Sequence, residues 1–356
     1  MTERQMNVAI VGCGNIAGGY AETLRPHPQI KLLGATDVIP GRAAEFTAKY
    51  GGRAYASLDD LLADPAVDVV VNLTIHTEHP AVITRCLEAG KHVHSEKPLA
   101  MTYEEARRVV ELAHQKGLRL SCSPITFMGE AQQTAWKVIR DGKLGPVRVS
   151  FAEVNWGRIE AWHPAPGPFY EVGALFDVGV YPLTLLTTIF GPARRATAFG
   201  KVLFPDRVTR EGVPFHIETP DLVIAAIGFE NGMVVRLTTD FYVGHHTKQT
   251  GIEFHGDKGS VYLSSWQSFD AAVEFAEFGK SYEPVPYVKT PYEGTEWARA
   301  LVEMADAIAE NRPQRATGEQ AAHVVEILCA IQQAYRDERP VGIVSNFTPP
   351  APMEWA

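Results

Sequence analysis

The chain has 356 residues, is 46% hydrophobic and 21% charged, and carries a net charge of −9. That length asks for two domains, and the negative balance argues against nucleic acid or an acidic membrane surface as the main partner, since both demand a basic patch. Cys13, Cys86, Cys122 and Cys329 are scattered without a CxxC pair, the N-terminal apolar run is too short for a signal peptide, and no apolar stretch reads as long enough to span a membrane, so a reduced, cytoplasmic protein is expected.

Strand and helix patterns alternate over the first 124 residues, the signature of βαβ units and a parallel sheet. Asn7 to Val11 reads as a strand buried on both faces. It runs into Gly12-Cys13-Gly14-Asn15-Ile16-Ala17, with a helical pattern to Leu24. In such a turn Gly12 permits the tight bend, Gly14 lets backbone approach a pyrophosphate, and the small Ala17 lets helix pack on strand. The strand from Lys31 ends at Asp37, 19 residues past Gly18. A carboxylate there takes ribose hydroxyls and repels a 2′-phosphate, which favours NAD. Arg42 keeps NADP open, and the competing role for Asp37 is a helix N-cap. After the strand Val67 to Val71, the loop Thr74-Ile75-His76-Thr77-Glu78-His79 lies at a strand's carboxyl end and is expected to face the cofactor. His76 and His79 lack a partner at metal-ligand spacing, so no metal is expected. Next, Lys91 to Ser95 is a short strand that stops at Glu96-Lys97-Pro98. Proline cannot continue a central strand, and ligands in open parallel sheets bind beyond the strands' carboxyl ends. Glu96, Lys97 and Pro98 are therefore cofactor-site candidates, against the plain reading of a solvated Glu-Lys pair. Thr102 with Glu105 three residues on forms a capping box for a helix to Lys116.

Residues 125–356 read as an α+β substrate and oligomerisation domain. A helix from Glu130 to Arg140 leads into a strand, Val147 to Asn155. The segment from Trp156 to Tyr170 has the length of a functional loop. Within it Trp156, His163 and Tyr170 are substrate candidates, with a satellite core cluster as the alternative. Asp177 and Tyr181 would share a face on one helix, but Pro182 requires that the helix start near Asp177 or kink there. From Ala193 to Leu263 repeated strands predict a large, mostly antiparallel open sheet, with an Asn231-Gly232 hairpin turn. His245-His246 is a candidate for pocket, interface or exposed turn. Two helices, from Glu296 and from Glu319, close the domain, and the tail from Pro349 is expected to be loosely held.

The N-terminal Gly-rich turn, the acidic end of the second strand, Thr74 with His79 five residues later, Glu96-Lys97-Pro98 and Asp177-x-x-x-Tyr181 occur in one order. Together they resemble the glucose–fructose oxidoreductase / inositol 2-dehydrogenase (Gfo/Idh/MocA) family. Tyr181, where histidine is commoner, is similar to the branch holding xylose dehydrogenase and dimeric dihydrodiol dehydrogenase. Ile75-His76 departs from the family's Pro-Asn, and the glycine run before Asp177 is reduced to Gly173. The resemblance implies a Rossmann domain and NAD(P)-dependent hydride transfer with a sugar or polyol. It also implies a catalytic set of Lys97, Asp177 and Tyr181, a cis Lys97-Pro98 peptide, and a homodimer or homotetramer through the C-terminal sheet. The family also contains lyases and glycosidases with transient sugar oxidation, enzymes with a tightly held cofactor, and non-enzymatic sensors.

Overall fold

The computed structural model describes residues 5–244 and 246–356, so His245 lies outside the described residues. The chain forms two compact units.

The first unit holds a parallel sheet. Its strands are β1 (Met6–Val11), β2 (Ile30–Thr36), β3 (Arg53–Ala54), β4 (Val69–Asn72), β5 (His92–Ser95) and β6 (Leu120–Cys122). Their order is β3-β2-β1-β4-β5-β6, so the order reverses beside β1, where a crevice opens at the strands' carboxyl ends. The crossovers are α1 (Ala17–Leu24), α2 (Arg42–Tyr50), α3 (Leu58–Ala63), α4 (His79–Glu88) and α5 (Tyr103–Lys116). Thr102 caps α5 by accepting from the Glu105 N–H, and Gly117, at φ 64°, ends it. Continuous apolar runs such as Val8-Ala9-Ile10 and Val69-Val70-Val71 are fully buried, as helices on both sheet faces require.

The second unit begins with α6 (Glu130–Arg140), β7 (Val147–Asn155), α7 (Gly167–Asp177) and α8 (Val180–Phe190). Then follow β8 (Ala193–Lys201), the hairpin β9 (Asp206–Val208) and β10 (Pro214–His216), β11 (Leu222–Phe229) and β12 (Val234–Asp240). The remaining strands are β13 (Gly251–Gly256), β14 (Gly259–Leu263), β15 (Val273–Glu277), β16 (Glu283–Pro284) and β17 (Val341–Gly342). Apart from β9 and β10 they make one nine-stranded sheet, antiparallel but for β7 beside β12. Gly232, at φ 87°, turns β11 into β12.

Three expectations are corrected. The first unit does end at Ile125, but the second does not take all the rest: α9 (Arg299–Ala309) and the start of α10 (Gly318–Asp337) return to the first unit, which takes residues 296–325. Ala298, Leu301 and Met304 complete the core formed by Val8, Ile10, Tyr20 and Leu24. The stretch Gly167–Phe190 does have a membrane span's length and apolarity, at mean hydropathy 1.5, but 83% of that window is buried. Gly173, at φ 79°, and the break before Val180 divide it, and helices apolar all round belong in a core. The tail is held: the Met353 N–H donates to Gln133 Oε1 at 3.0 Å, and the Lys289 ammonium stands 4.9 Å from the Trp355 ring centroid.

Candidate functional site

In the first unit a cavity of about 620 Å³ opens at the carboxyl ends of β1, β2 and β4. Gly12, at φ 95°, makes the bend out of β1, and a Cβ there would stand 2.6 Å from Leu73 O. Gly14 borders the cavity, and a Cβ on it would meet nothing within 4 Å. That open backbone surface is what close approach of a pyrophosphate needs. Ile16 precedes α1 with no side-chain cap hydrogen bond, so no capping side chain closes the helix's positive end. Asp37 is held at both oxygens: the Cys13 N–H donates to Oδ2 and the Ile39 N–H to Oδ1, each at 2.7 Å. Val38 (98% exposed), Ile39 and Ile75 give the cavity apolar walls. Arg42 and Thr74 also line it. A tight bend, an open glycine, an oriented carboxylate and apolar walls fit a dinucleotide.

Asn15, Ile16 and His76 lie outside that lining. His79 is corrected: it is buried, with Nδ1 2.7 Å from Pro98 O and Nε2 3.0 Å from Thr74 O. It braces two loops from behind instead of facing a cofactor, and burial lowers its pKa. Sequence reading missed Ser57 and Arg85, which share the lining with Glu78 of the loop expected there. The signal available for those two was their place in the loop after β3 and on α4.

Lys97 is half-buried at the end of β5, and its peptide to Pro98 is cis. The preceding Glu96 is buried and accepts from the Lys97 N–H through Oε2 at 3.1 Å.

In the second unit Asp177 ends α7 and Tyr181 lies in the first turn of α8. The break expected near Asp177 thus falls between the two residues, which stand on consecutive helices. Pro182 has no N–H and clashes with the preceding turn, so it is tolerated where α8 starts. The Tyr181 ring packs 4.8 Å from Trp266, which packs 5.4 Å from Trp156. Trp156 meets Trp162 edge-on, and His163 and Phe169 continue the row. Trp156 and His163 therefore share an aromatic row with Tyr181, and Trp266, which sequence reading missed, is its hinge. Tyr170 is corrected. Its hydroxyl is buried, donating to Glu160 Oε2 at 2.5 Å and accepting from Arg207 Nη1 at 2.6 Å. It serves a buried ion cluster, not a substrate. Among the described residues no group of three His, Cys, Asp or Glu is placed to hold a metal.

The family model described as "Oxidoreductase family, NAD-binding Rossmann fold" matches residues 6–123, and the GFO/IDH/MocA C-terminal domain model matches residues 132–262. The chain belongs to the Gfo/Idh/MocA oxidoreductase family. It is similar to trans-1,2-dihydrobenzene-1,2-diol dehydrogenase of Macaca fascicularis, 33% identical over 188 residues, 51% of this chain and 55% of that protein. The Sus scrofa protein of the same name is 29% identical over 230 residues, 63% of this chain and 64% of its own length. The chain thus spans less than two thirds of these relatives. Among solved structures, the WlbA dehydrogenase of Bordetella pertussis, in complex with NADH and UDP-GlcNAcA, superposes with TM-score 0.80 at 22% identity, over 95% of this chain and 99% of that one. The aldose–aldose oxidoreductase of Caulobacter crescentus, complexed with glycerol, gives 0.79 at 22%, over 95% and 100%. At that identity the likeness shows the Gfo/Idh/MocA fold. Membership makes the first unit an NAD-binding Rossmann domain.

Proposed function

We propose that this Gfo/Idh/MocA protein is a dehydrogenase moving a hydride between NAD and a carbinol carbon of a sugar, polyol or related diol. The observation that carries the reading is Lys97, set on buried Glu96 at the carboxyl end of β5, in the unit whose neighbouring strands end in the dinucleotide cavity. Support comes also from the relatives, which are named for a diol and for aldoses.

NAD, when bound, supplies the hydride acceptor. Gly12 and Gly14 would hold its pyrophosphate, Asp37 its ribose hydroxyls, and Thr74 and Ile75 would border it. Lys97 would hold the substrate oxygen through its ammonium. Tyr181, acting as the phenolate, would take the hydroxyl proton as the hydride leaves, and Asp177 would orient the substrate. Trp266, itself packed on Trp156, would hold the Tyr181 ring by packing. The substrate is expected to stack its apolar face on this row. We further infer a cytoplasmic protein, in keeping with four free cysteines, and a homodimer or homotetramer formed through the large sheet.

Mixing the protein with NAD, then NADP, against aldoses, inositols, sugar acids and cyclic diols tests the reading by the NADH absorbance band. Lys97→Ala should lower kcat by about a hundred- to a thousandfold, the scale of one lost donor to a developing oxyanion, while NAD affinity stays within about twofold. A variant that keeps most of its kcat would remove Lys97 from the chemistry. Conversion of a sugar without net redox change would instead indicate a transient-oxidation lyase or glycosidase.

A further inference from the structure

Beneath Lys97 lies a buried polar network that the mechanism above leaves unused. The Tyr20 hydroxyl is 2.8 Å from Glu96 Oε1, 3.0 Å from His94 Nε2 and 3.0 Å from Ser123 Oγ. On the far side His94 Nδ1 is 2.7 Å from Ser121 Oγ. Tyr20 and His94 are fully buried. Burial pushes the Tyr20 phenol well up and the His94 imidazole down to about 4, so both are neutral.

The proton positions follow by elimination. A carboxylate only accepts, so Tyr20 gives its one hydrogen to Glu96. His94 can then meet the phenolic oxygen only as a donor, through Nε2–H. Its Nδ1 is left to accept from Ser121. The chain runs Ser121 to His94 to Tyr20 to Glu96, with each donor directed at the next acceptor. Such chains polarise one another, so the last bond, onto a charged acceptor, is the strongest. Glu96 uses its other oxygen to accept from the Lys97 N–H.

Tyr20 lies on α1, the helix that opens at the Gly12–Gly14 turn, and Glu96 lies at the lysine strand's end. We propose that Tyr20 is a positioning residue: its hydroxyl fixes the Glu96 carboxylate, and through it the backbone and charge environment of Lys97, tying the catalytic lysine to the phosphate-binding helix. This rests on the dehydrogenase reading of Lys97.

The groups packed around this point are few. Cys122 of β6 directs its thiol at Glu96 O, 3.6 Å away, and burial raises its pKa well above the thiol range. His79 of α4 meets Pro98 O, and burial lowers its pKa. Tyr20, His94, Cys122 and His79 are thus uncharged near neutrality, and the charges they face are those of Glu96 and Lys97. Removing the Tyr20 donor leaves the Glu96 charge less neutralised and raises the affinity of Lys97 for its proton. Removing the charge itself does the opposite.

The test compares Tyr20→Phe and Glu96→Gln in the full chain. Tyr20→Phe should lower kcat about ten- to a hundredfold, the scale of one hydrogen bond to a charged acceptor, with NAD affinity within about twofold. The Lys97 titration, followed by NMR after reductive ¹³C-methylation and assigned with Lys97→Arg, should move to higher pH in Tyr20→Phe and to lower pH in Glu96→Gln. A merely structural role would not produce opposite displacements. Unchanged titrations, or displacements of one sign, overturn the proposal. If the wild type turns over no substrate, the dehydrogenase reading fails while the NMR titration still decides the role of Tyr20. Should Tyr20→Phe not melt cooperatively, Ser123→Ala, which removes a hydroxyl 3.0 Å from Tyr20 and 3.5 Å from His94 Nε2, should move the titration upward by less, and no movement overturns the proposal.

Discussion

Asp37 shows how one side chain can serve two masters. Its oxygens already accept from the Cys13 and Ile39 amides, which freezes the carboxylate at the cavity edge. Each oxygen keeps a lone pair for a ribose hydroxyl, and the negative charge repels a 2′-phosphate. Asp37→Asn removes the charge but keeps one acceptor for the turn. With Arg42 already on the cavity wall, the kcat/KM ratio of NADP to NAD should rise about tenfold or more, the effect of roughly one to two units of close-range electrostatics near a protein surface. Steady-state rates with the two cofactors check this, and an unchanged ratio would take Asp37 out of cofactor choice. The place of Asp37 at the cavity edge was legible in the sequence because its signal is local: a strand end at fixed distance from a glycine turn. Tyr20 was not, because its partners lie 74 to 103 residues away, and nothing in a helix's sequence announces which acceptor its buried phenol will find.

Among the elements, the loop from Trp156 to Tyr170 depends on a charge cluster that is invisible locally. Arg207, on β9, is fully buried. It donates from Nη1 to Glu160 Oε1 at 2.8 Å, from Nη2 to Asp221 Oδ2 at 2.5 Å, and from Nε to Phe204 O at 2.9 Å. Three separate segments meet on one guanidinium, whose planar fork suits bidentate pairing better than lysine does. Breaking a buried pair strands its partners' charge, so Arg207→Ala should cost about 3–5 kcal/mol, read in urea denaturation. Because Trp156 and Trp162 border the same loop, the substrate KM should rise while NAD affinity holds. A loss under about 1 kcal/mol, the range of exposed pairs, would show that the cluster is not holding the loop. The same locality rule explains the hairpins. Asn231-Gly232 could be read directly because its turn chemistry lies in two adjacent residues, whereas the role of Tyr170 was set by an arginine 37 residues on.

For the whole molecule, the open face of the nine-stranded sheet offers a testable assembly. Strand register places Thr197, Ala226, Arg236, Phe151, Glu253, Tyr262 and Glu274 in one row across that face. The row beside it carries Phe199 and Ile224, paired across β8 and β11 and 61% and 43% exposed, and Val234 on β12 is 46% exposed. Exposed apolar side chains at alternate positions of a long sheet mark an association surface rather than a solvated one. Charge is uneven across that face: Arg195 and Lys201 stand on β8, Arg236 is paired with Glu153 at 2.7 Å between β12 and β7, and Glu253 and Glu274 stand on β13 and β15. A twofold axis through the middle of the sheet would lay each half on its opposite in a second copy, as a self-complementary interface requires. We therefore expect a homodimer, which light scattering coupled to size exclusion would weigh directly. Ile224→Glu and Phe199→Glu each place a carboxylate opposite the Glu253 and Glu274 half of the second copy in such an interface. Either should shift the weight-average mass from dimer toward monomer, with secondary structure by circular dichroism unchanged. A wild-type monomer at micromolar concentration would refute the assembly, and a dimer indifferent to both substitutions would move the interface to another face.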